Sequence, residues 1–195
     1  EPGQTPDIPV VASTVQQAKR TSYGALLAYT KNHPALRTRA KIYSATSDTR
    51  ILVPSTGGAA YPVSDYIDGL QGLDPTMAVA DELAFLSIEA WDSLMLAGGK
   101  RPRSLVVGIG SPGPSRDCAL YQLRQAWLDD SAIPGFRYRE YAAPDGCDVH
   151  DEDAWMIANP ALAEGFMAID ALRSAGAITP EAEFRIYRLG QWADG

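Results

Sequence analysis

Apolar positions run along the chain in two rhythms, short continuous blocks and longer stretches spaced at helical intervals. Residues 8–12 (Ile8-Pro9-Val10-Val11-Ala12) form the first block and stop at Ser13-Thr14, two good helix caps. Val15, Ala18, Ala25, Leu26 and Tyr29 then recur at helical spacing, so the pattern predicts a strand followed by one amphipathic helix over residues 15–32, ended by His33-Pro34. Residues 40–44 and 50–54 flank a polar stretch and predict a hairpin, and residues 55–75, rich in Gly, Pro and Asp, predict mostly loop. A second block at residues 76–80 ends abruptly in Asp81-Glu82. Residues 87–97 read as a helix with Ile88, Trp91, Leu94 and Met95 on one face, closed by Gly98-Gly99. Residues 105–109 are continuously apolar, as strands covered on both faces require, and end at Gly110-Ser111-Pro112. A helix over 115–129 and a strand over 136–141 follow.

Strand and helix signals alternate this way up to Pro144, which predicts a layered α/β sheet with parallel strands and right-handed crossovers. From Asp145 the texture becomes acidic and turn-rich, then helical over 152–158, 163–175 and 180–189. This places a boundary near Pro144, between a core at 1–144 and a helical subdomain or linker at 145–195.

Composition narrows the class. The chain has 195 residues, 46% hydrophobic and 21% charged, enough to bury a real core and unlike a disordered chain. Its longest apolar runs are too short to cross a bilayer, so no membrane role is expected. Cys118 and Cys147 lack a CxxC spacing and suggest neither a disulfide framework nor a zinc site, which makes a reducing compartment the expectation. The net charge of −7 argues against a surface that grips nucleic acid continuously, though local basic clusters could touch phosphates transiently.

The sharpest chemical feature is Met77-Ala78-Val79-Ala80-Asp81-Glu82. In open α/β sheets ligands bind beyond the carboxyl ends of the strands, where two carboxylates could hold Mg²⁺ and activate a water. The alternative is that Asp81 or Glu82 caps the following turn. Gly110 and Ser111 end the next strand at the same rim, where a hydroxyl can both donate and accept, or where a loop simply needs small residues. Ser13 and Thr14 read first as a helix cap, with a phosphate or nucleic-acid contact as the second reading, and Gln17 alone has no specificity. Lys100, Arg101 and Arg103 form a small basic cluster that is either a solvated loop or a phosphate contact. Cys147, Asp148, His150, Asp151 and Asp153 read as a solvated loop entering a helix, with a metal site as the alternative. Trp155, Phe166 and Trp192 are expected as core anchors. No GxxxxGK[ST] loop occurs, and Gly98-Gly99-Lys100 follows a helix where a phosphate loop would follow a strand.

Taken in order, Val10-Val11-Ala12-Ser13-Thr14 with Gln17, Gly69-Leu70-Gln71-Gly72-Leu73-Asp74-Pro75 before Ala78-Val79-Ala80-Asp81-Glu82, and Val106-Val107-Gly108-Ile109-Gly110-Ser111 resemble the large terminase subunit of tailed bacteriophages. The tail, with Trp155, Ala158-Asn159-Pro160 and Leu189-Gly190-Gln191-Trp192, is similar to that family's junction between ATPase and nuclease parts. The resemblance implies a three-layer αβα fold of the P-loop NTPase type (ASCE) with a mainly parallel sheet. It also implies an ATP hydrolase using ATP and Mg²⁺ to drive double-stranded DNA into a procapsid. Residue by residue, Asp81 matches the Walker B aspartate that supports Mg²⁺, Glu82 the catalytic glutamate, and Gly110 with Ser111 the coupling motif. Ser13, Thr14 and Gln17 match the segment behind the nucleotide. Arg50, Arg101 and Arg103 are the candidates for a trans-acting arginine finger. The implied partners are DNA, a portal protein, a small terminase subunit and further copies in a ring, in the cytoplasm of the bacterial host.

Two parts of that family are not matched. Its phosphate-binding strand and loop would lie upstream of Glu1 and its nuclease domain after Gly195, so the expectation is an ATPase portion inactive alone. With the phosphate-loop strand absent, neighbouring strand edges are expected to be unpaired. Two alternatives stand beside this reading: another helicase-like nucleotide-driven DNA motor, and a non-catalytic acidic α/β interaction module.

Overall fold

The computed structural model describes residues 5–130 and 132–192, which divide into two compact units, Glu1–Gly110 and Ser111–Gly195. The first unit carries a six-stranded sheet built from β1 (Asp7–Ala12), β2 (Lys41–Ala45), β3 (Asp48–Val53), β4 (Gly58–Ser64), β5 (Met77–Ala80) and β6 (Leu105–Gly108), in the order β2-β3-β4-β1-β5-β6. β4, β1, β5 and β6 run parallel, and the β2–β3 hairpin adds two antiparallel strands at one side. The sheet is continuous. Among the described residues no gap separates β1, β5 and β6, and the unpaired edge on the parallel side is that of β6.

Helices cover both faces because the strands point alternate residues to opposite sides. On one face α2 (Ser22–Asn32) packs Tyr23 and Leu27 against Val10, Ile51, Ile42 and Val79. On the other, α5 (Ile88–Gly98) lies over β5 and β6, so close that a Cβ on Gly98 would sit 3.0 Å from Val106 and one on Gly108 3.3 Å from Trp91. Its buried stripe is Ala90, Leu94, Ala97 and Gly98. Met95, expected on that stripe, is exposed, because the small residues are the ones that let helix and sheet approach. This is the layered α/β arrangement that the alternating pattern predicts, with the three layers that the family resemblance implies.

Two local expectations are corrected. Residues 55–75 are not mostly loop, since β4 and the short helix α4 (Ile67–Gln71) lie there, and β4 sits between β3 and β1. Pro62 is tolerated in that strand because β3 pairs only with Gly58–Ala60, leaving the proline's missing donor past the hydrogen-bonded stretch. The single helix expected over 15–32 is two helices, α1 (Val15–Arg20) and α2, broken at Thr21, whose ψ of −118° is not helical.

The second unit holds α6 (Ala119–Leu128), α7 (Glu152–Ala158), α8 (Pro160–Ala163), α9 (Ile169–Ile178) and α10 (Glu181–Leu189), with a core of Trp155, Phe184, Leu172, Leu189, Ala154 and Ala143. Residues 136–141 form no strand. Their side chains bind locally instead: Tyr138 stacks on Trp127 at 5.1 Å, and Glu140 accepts from Arg124 at 2.6 Å. Ala143, beside Pro144, belongs to the Trp155 core, and its N–H donates to the Leu189 carbonyl at 2.8 Å. Trp155 is a core anchor as expected and Trp192 meets Tyr121 edge-on at 4.9 Å, but Phe166 is 87% exposed and anchors nothing. Among the described residues no helix is long and apolar enough to cross a membrane.

Candidate active site at the carboxyl end of β5

β5 is held between β1 and β6, so the residue after it emerges at the rim of the sheet. That residue is Asp81, 6% exposed, whose N–H donates to the Val11 carbonyl at 2.8 Å and continues the pairing with β1. One carboxylate oxygen accepts from the Ser22 N–H at 2.9 Å and the other from the Glu82 N–H at 3.0 Å. Ser22 is the first residue of α2, so the carboxylate caps free donors at the positive end of that helix. The break at Thr21 is what turns this N-terminus toward β5. Burial by itself pushes the Asp81 pKa up, but hydrogen bonds from Thr21, Ser22 and Glu82 outweigh it and hold the carboxyl below its ordinary value.

Glu82 is treated in the opposite sense. It is half-buried, and burial, followed by the adjacent Asp81 charge, raises its pKa. Among the described residues neither acid has a cationic partner. Glu82 also adopts a left-handed backbone, φ 53° and ψ 49°, which costs a non-glycine residue about 1 kcal/mol. The loop after β6 enforces that turn. The Leu83 N–H donates to the Ile109 carbonyl at 2.9 Å, and a Cβ on Gly110 would meet the Leu83 nitrogen at 3.0 Å and Glu82 backbone atoms at 3.3 Å. Gly108 is equally constrained, since its Cβ would lie 2.5 Å from the Leu83 side chain.

Two adjacent carboxylates with protonation pushed apart are suited to different tasks, a fixed anion and a proton acceptor. The donor set also fits a magnesium ion. Among the described residues no cluster of three or more His, Cys, Asp or Glu forms a protein-only cage. Mg²⁺ bound with a phosphate needs only one or two carboxylates and keeps its waters. Asp81 holds its charge, as such a ligand must.

The other sequence candidates fall in several places. Thr14 is the N-cap of α1, its hydroxyl accepting from the Gln17 N–H at 3.1 Å, and the Ser13 hydroxyl donates to the Gln17 side-chain oxygen. These three lie just past the end of β1, the strand beside β5. Ser111 is the first residue of the second unit. Arg50 pairs with Asp48 at 3.1 Å and lies over the Tyr43 ring. Arg101 pairs with Asp74 at 3.0 Å and donates to the Thr5 carbonyl at 3.0 Å, at the opposite end of the strands from Asp81. Arg103 is exposed before β6. Lys100 donates to the Gln71 and Leu73 carbonyls. In the acidic segment Asp148 accepts from the His150 N–H and Asp151 caps α7, the solvated-loop reading. Thr21 and Ser22 are missed by the sequence reading; a Thr-Ser pair inside an apparent helix is the signal that finds them.

No protein-family model matches the sequence, and no curated protein matches it. Solved structures do. The large terminase of bacteriophage HK97 is similar over 98% of this chain and 41% of its own length, with a TM-score of 0.79 and 19% identity. The large terminase of a thermophilic bacteriophage, solved in complex with ATP-gamma-S, is similar over 98% of this chain and 41% of its own, at a TM-score of 0.63 and 12% identity. The large terminase ATPase domain of Thermus phage P74-26 gives a TM-score of 0.57 and 15% identity, covering 98% of this chain and 78% of that domain. The chain thus shares the α/β fold of phage large terminases while spanning about two fifths of the length of the first two, 41% in each case.

Proposed function

We propose that this chain is the ATPase portion of a phage large terminase, the motor that packages double-stranded DNA into a procapsid in the bacterial host's cytoplasm. The observation that carries the reading is the Asp81-Glu82 pair at the end of β5, with the Asp81 carboxyl held below its ordinary pKa by hydrogen bonds and the Glu82 carboxyl raised by burial. The fold likeness to the terminases of HK97 and of the thermophilic phage, the latter solved with ATP-gamma-S, gives that pair its context.

In this reading Asp81 supports Mg²⁺ through water, and the ion offsets charge on the transferred phosphoryl group. Glu82 orients a water and accepts its proton as the water attacks. Gly110 and Ser111 couple hydrolysis to DNA movement, because Gly110 lies against the backbone of Glu82. Ser13, Thr14 and Gln17 line the nucleotide side through the end of β1. Of the arginine candidates, Arg50 and Arg101 are tied to Asp48 and Asp74, which leaves Arg103 as the one free to reach a neighbouring copy in a ring. Portal protein and small terminase subunit are the further partners.

The phosphate-binding strand and loop belong at the free edge of β6. Leu105 is 55% and Ile109 42% exposed there, although the run is as apolar as a fully covered strand. The chain by itself is then inactive, and a protein that includes a glycine-rich Lys-Ser or Lys-Thr loop hydrolyses ATP. Glu82→Ala in that protein is expected to abolish turnover and spare nucleotide binding. Unchanged turnover would sink the role of Glu82 and favour the non-catalytic module, and hydrolysis by residues 1–195 alone would sink the placement of the missing loop.

A further inference from the structure

The chain's charge is not spread evenly. Residues 8–47 contain Lys19, Arg20, Lys31, Arg37, Arg39 and Lys41 and no Asp or Glu, although the whole chain holds 24 acids against 17 Lys and Arg. The fold gathers four of these cations. Lys31 lies in the last turn of α2, Arg37 in the last turn of α3 (Pro34–Arg37), Arg39 in the connection that follows, and Lys41 opens the edge strand β2. Every residue from 31 to 39 is exposed, as is Lys41, and His33 lies among them. Among the described residues none of the four makes an ion pair or a side-chain hydrogen bond, whereas Lys100, Arg101, Arg124, Arg173 and Arg185 are all tied to protein acceptors.

Structural roles account for part of this. Lys31 and Arg37 meet helix carboxyl ends, and a Lys on an edge strand discourages pairing with another sheet. Neither role explains Arg39, nor why a stretch of this length in an acidic protein holds no acid with which its cations could pair.

We propose that the face formed by the end of α2, by α3 and by the start of β2 binds the phosphodiester backbone of double-stranded DNA through Lys31, Arg37, Arg39 and Lys41. Unpaired, exposed cations on short elements suit a backbone read by charge and not by base sequence, and such contacts release counterions from the duplex. The choice of duplex DNA over other polyanions rests on the packaging-motor reading. The net charge of −7 is no obstacle, because the acids lie outside this segment.

The test is fluorescence anisotropy of a labelled random-sequence duplex with the 195-residue chain, from about 50 to about 200 mM salt, without nucleotide. Four phosphate contacts predict that affinity falls about 100-fold over that range, and replacing three of them, R37A/R39A/K41A, lowers the slope of log K against log salt by about 3. R137A/R139A/R188A removes the same charge elsewhere and is expected to leave the slope unchanged. Thermal melting checks that both variants fold. An equal loss of slope in the two variants, no salt-dependent binding by the parent chain, or equal affinity for polyglutamate each overturns the proposal. Because the assay needs no hydrolysis, a failure here with Glu82→Ala still abolishing turnover would remove this face and leave the motor reading standing.

Discussion

The two ends of the parallel strands in the first unit are built on different terms. At the amino end several polar groups are tied down. Arg101 joins Asp74 and the Thr5 carbonyl, Lys100 bridges two carbonyls, the Ser104 hydroxyl donates to Pro75, and Thr76 exchanges hydrogen bonds with Asp7. At the carboxyl end two acids stand side by side with no cationic partner among the described residues, one of them in a left-handed backbone with its charge disfavoured. The contrast teaches where stability has been given up: at the amino end charges hold the fold together, while at the carboxyl end the fold holds a charge in an unfavourable setting. Such local cost is the pattern of sites that do chemistry.

The comparison can be broken most sharply at Asp81, which is the fastened member of its pair. Asp81→Ala leaves the Ser22 and Glu82 N–H groups without their acceptor, and a loss of about 2–3 kcal/mol is expected in denaturant unfolding. Because its folded pKa is lowered, the Asp81 contribution is full above the ordinary aspartate value and is lost as pH falls through the folded one, so the difference from Asp81→Asn should shrink in acid. At the other end Arg101→Ala should cost about 1–2 kcal/mol, since its side chain is 9% exposed and releases both Asp74 and Thr5. A neutral result there would mean that the amino end is not held by its charges.

Glu82 is expected to behave in reverse. Glu82→Gly relieves the positive φ and should stabilise the protein by about 1 kcal/mol while removing the proposed base. A destabilised glycine variant would show that the turn is not strained. The smallest effect belongs to Glu82→Gln. The raised folded pKa means that the ionised form is penalised above that pKa and not below the ordinary glutamate value. Glutamine should therefore stabilise at neutral pH by a few tenths of a kcal/mol, fading as the medium is acidified.

What could be read from sequence follows the same physical line. β1, β5 and β6 are continuous apolar blocks with abrupt polar ends, and Asp81-Glu82 stood out because it terminates one of them. β4 was hidden because Gly58, Ala59, Ala60 and Pro62 carry no strand preference of their own; its place comes from pairing with β1 and β3. Residues 136–141 misled for the converse reason, since their alternating aromatics suit a strand but find ring and ion partners nearby. The environment of Asp81 was illegible because Thr21 and Ser22 fit a helical pattern, and only tertiary contact with β5 rewards breaking the helix there.

That break has a mechanical consequence. α2 is fastened at Ser22 to the Asp81 carboxylate and carries Lys31 near its far end, its 11 residues making about 16 Å of rigid rod. One rigid element therefore spans from the Asp81 carboxylate to Lys31, so the acid that ends β5 and the basic face share a single support.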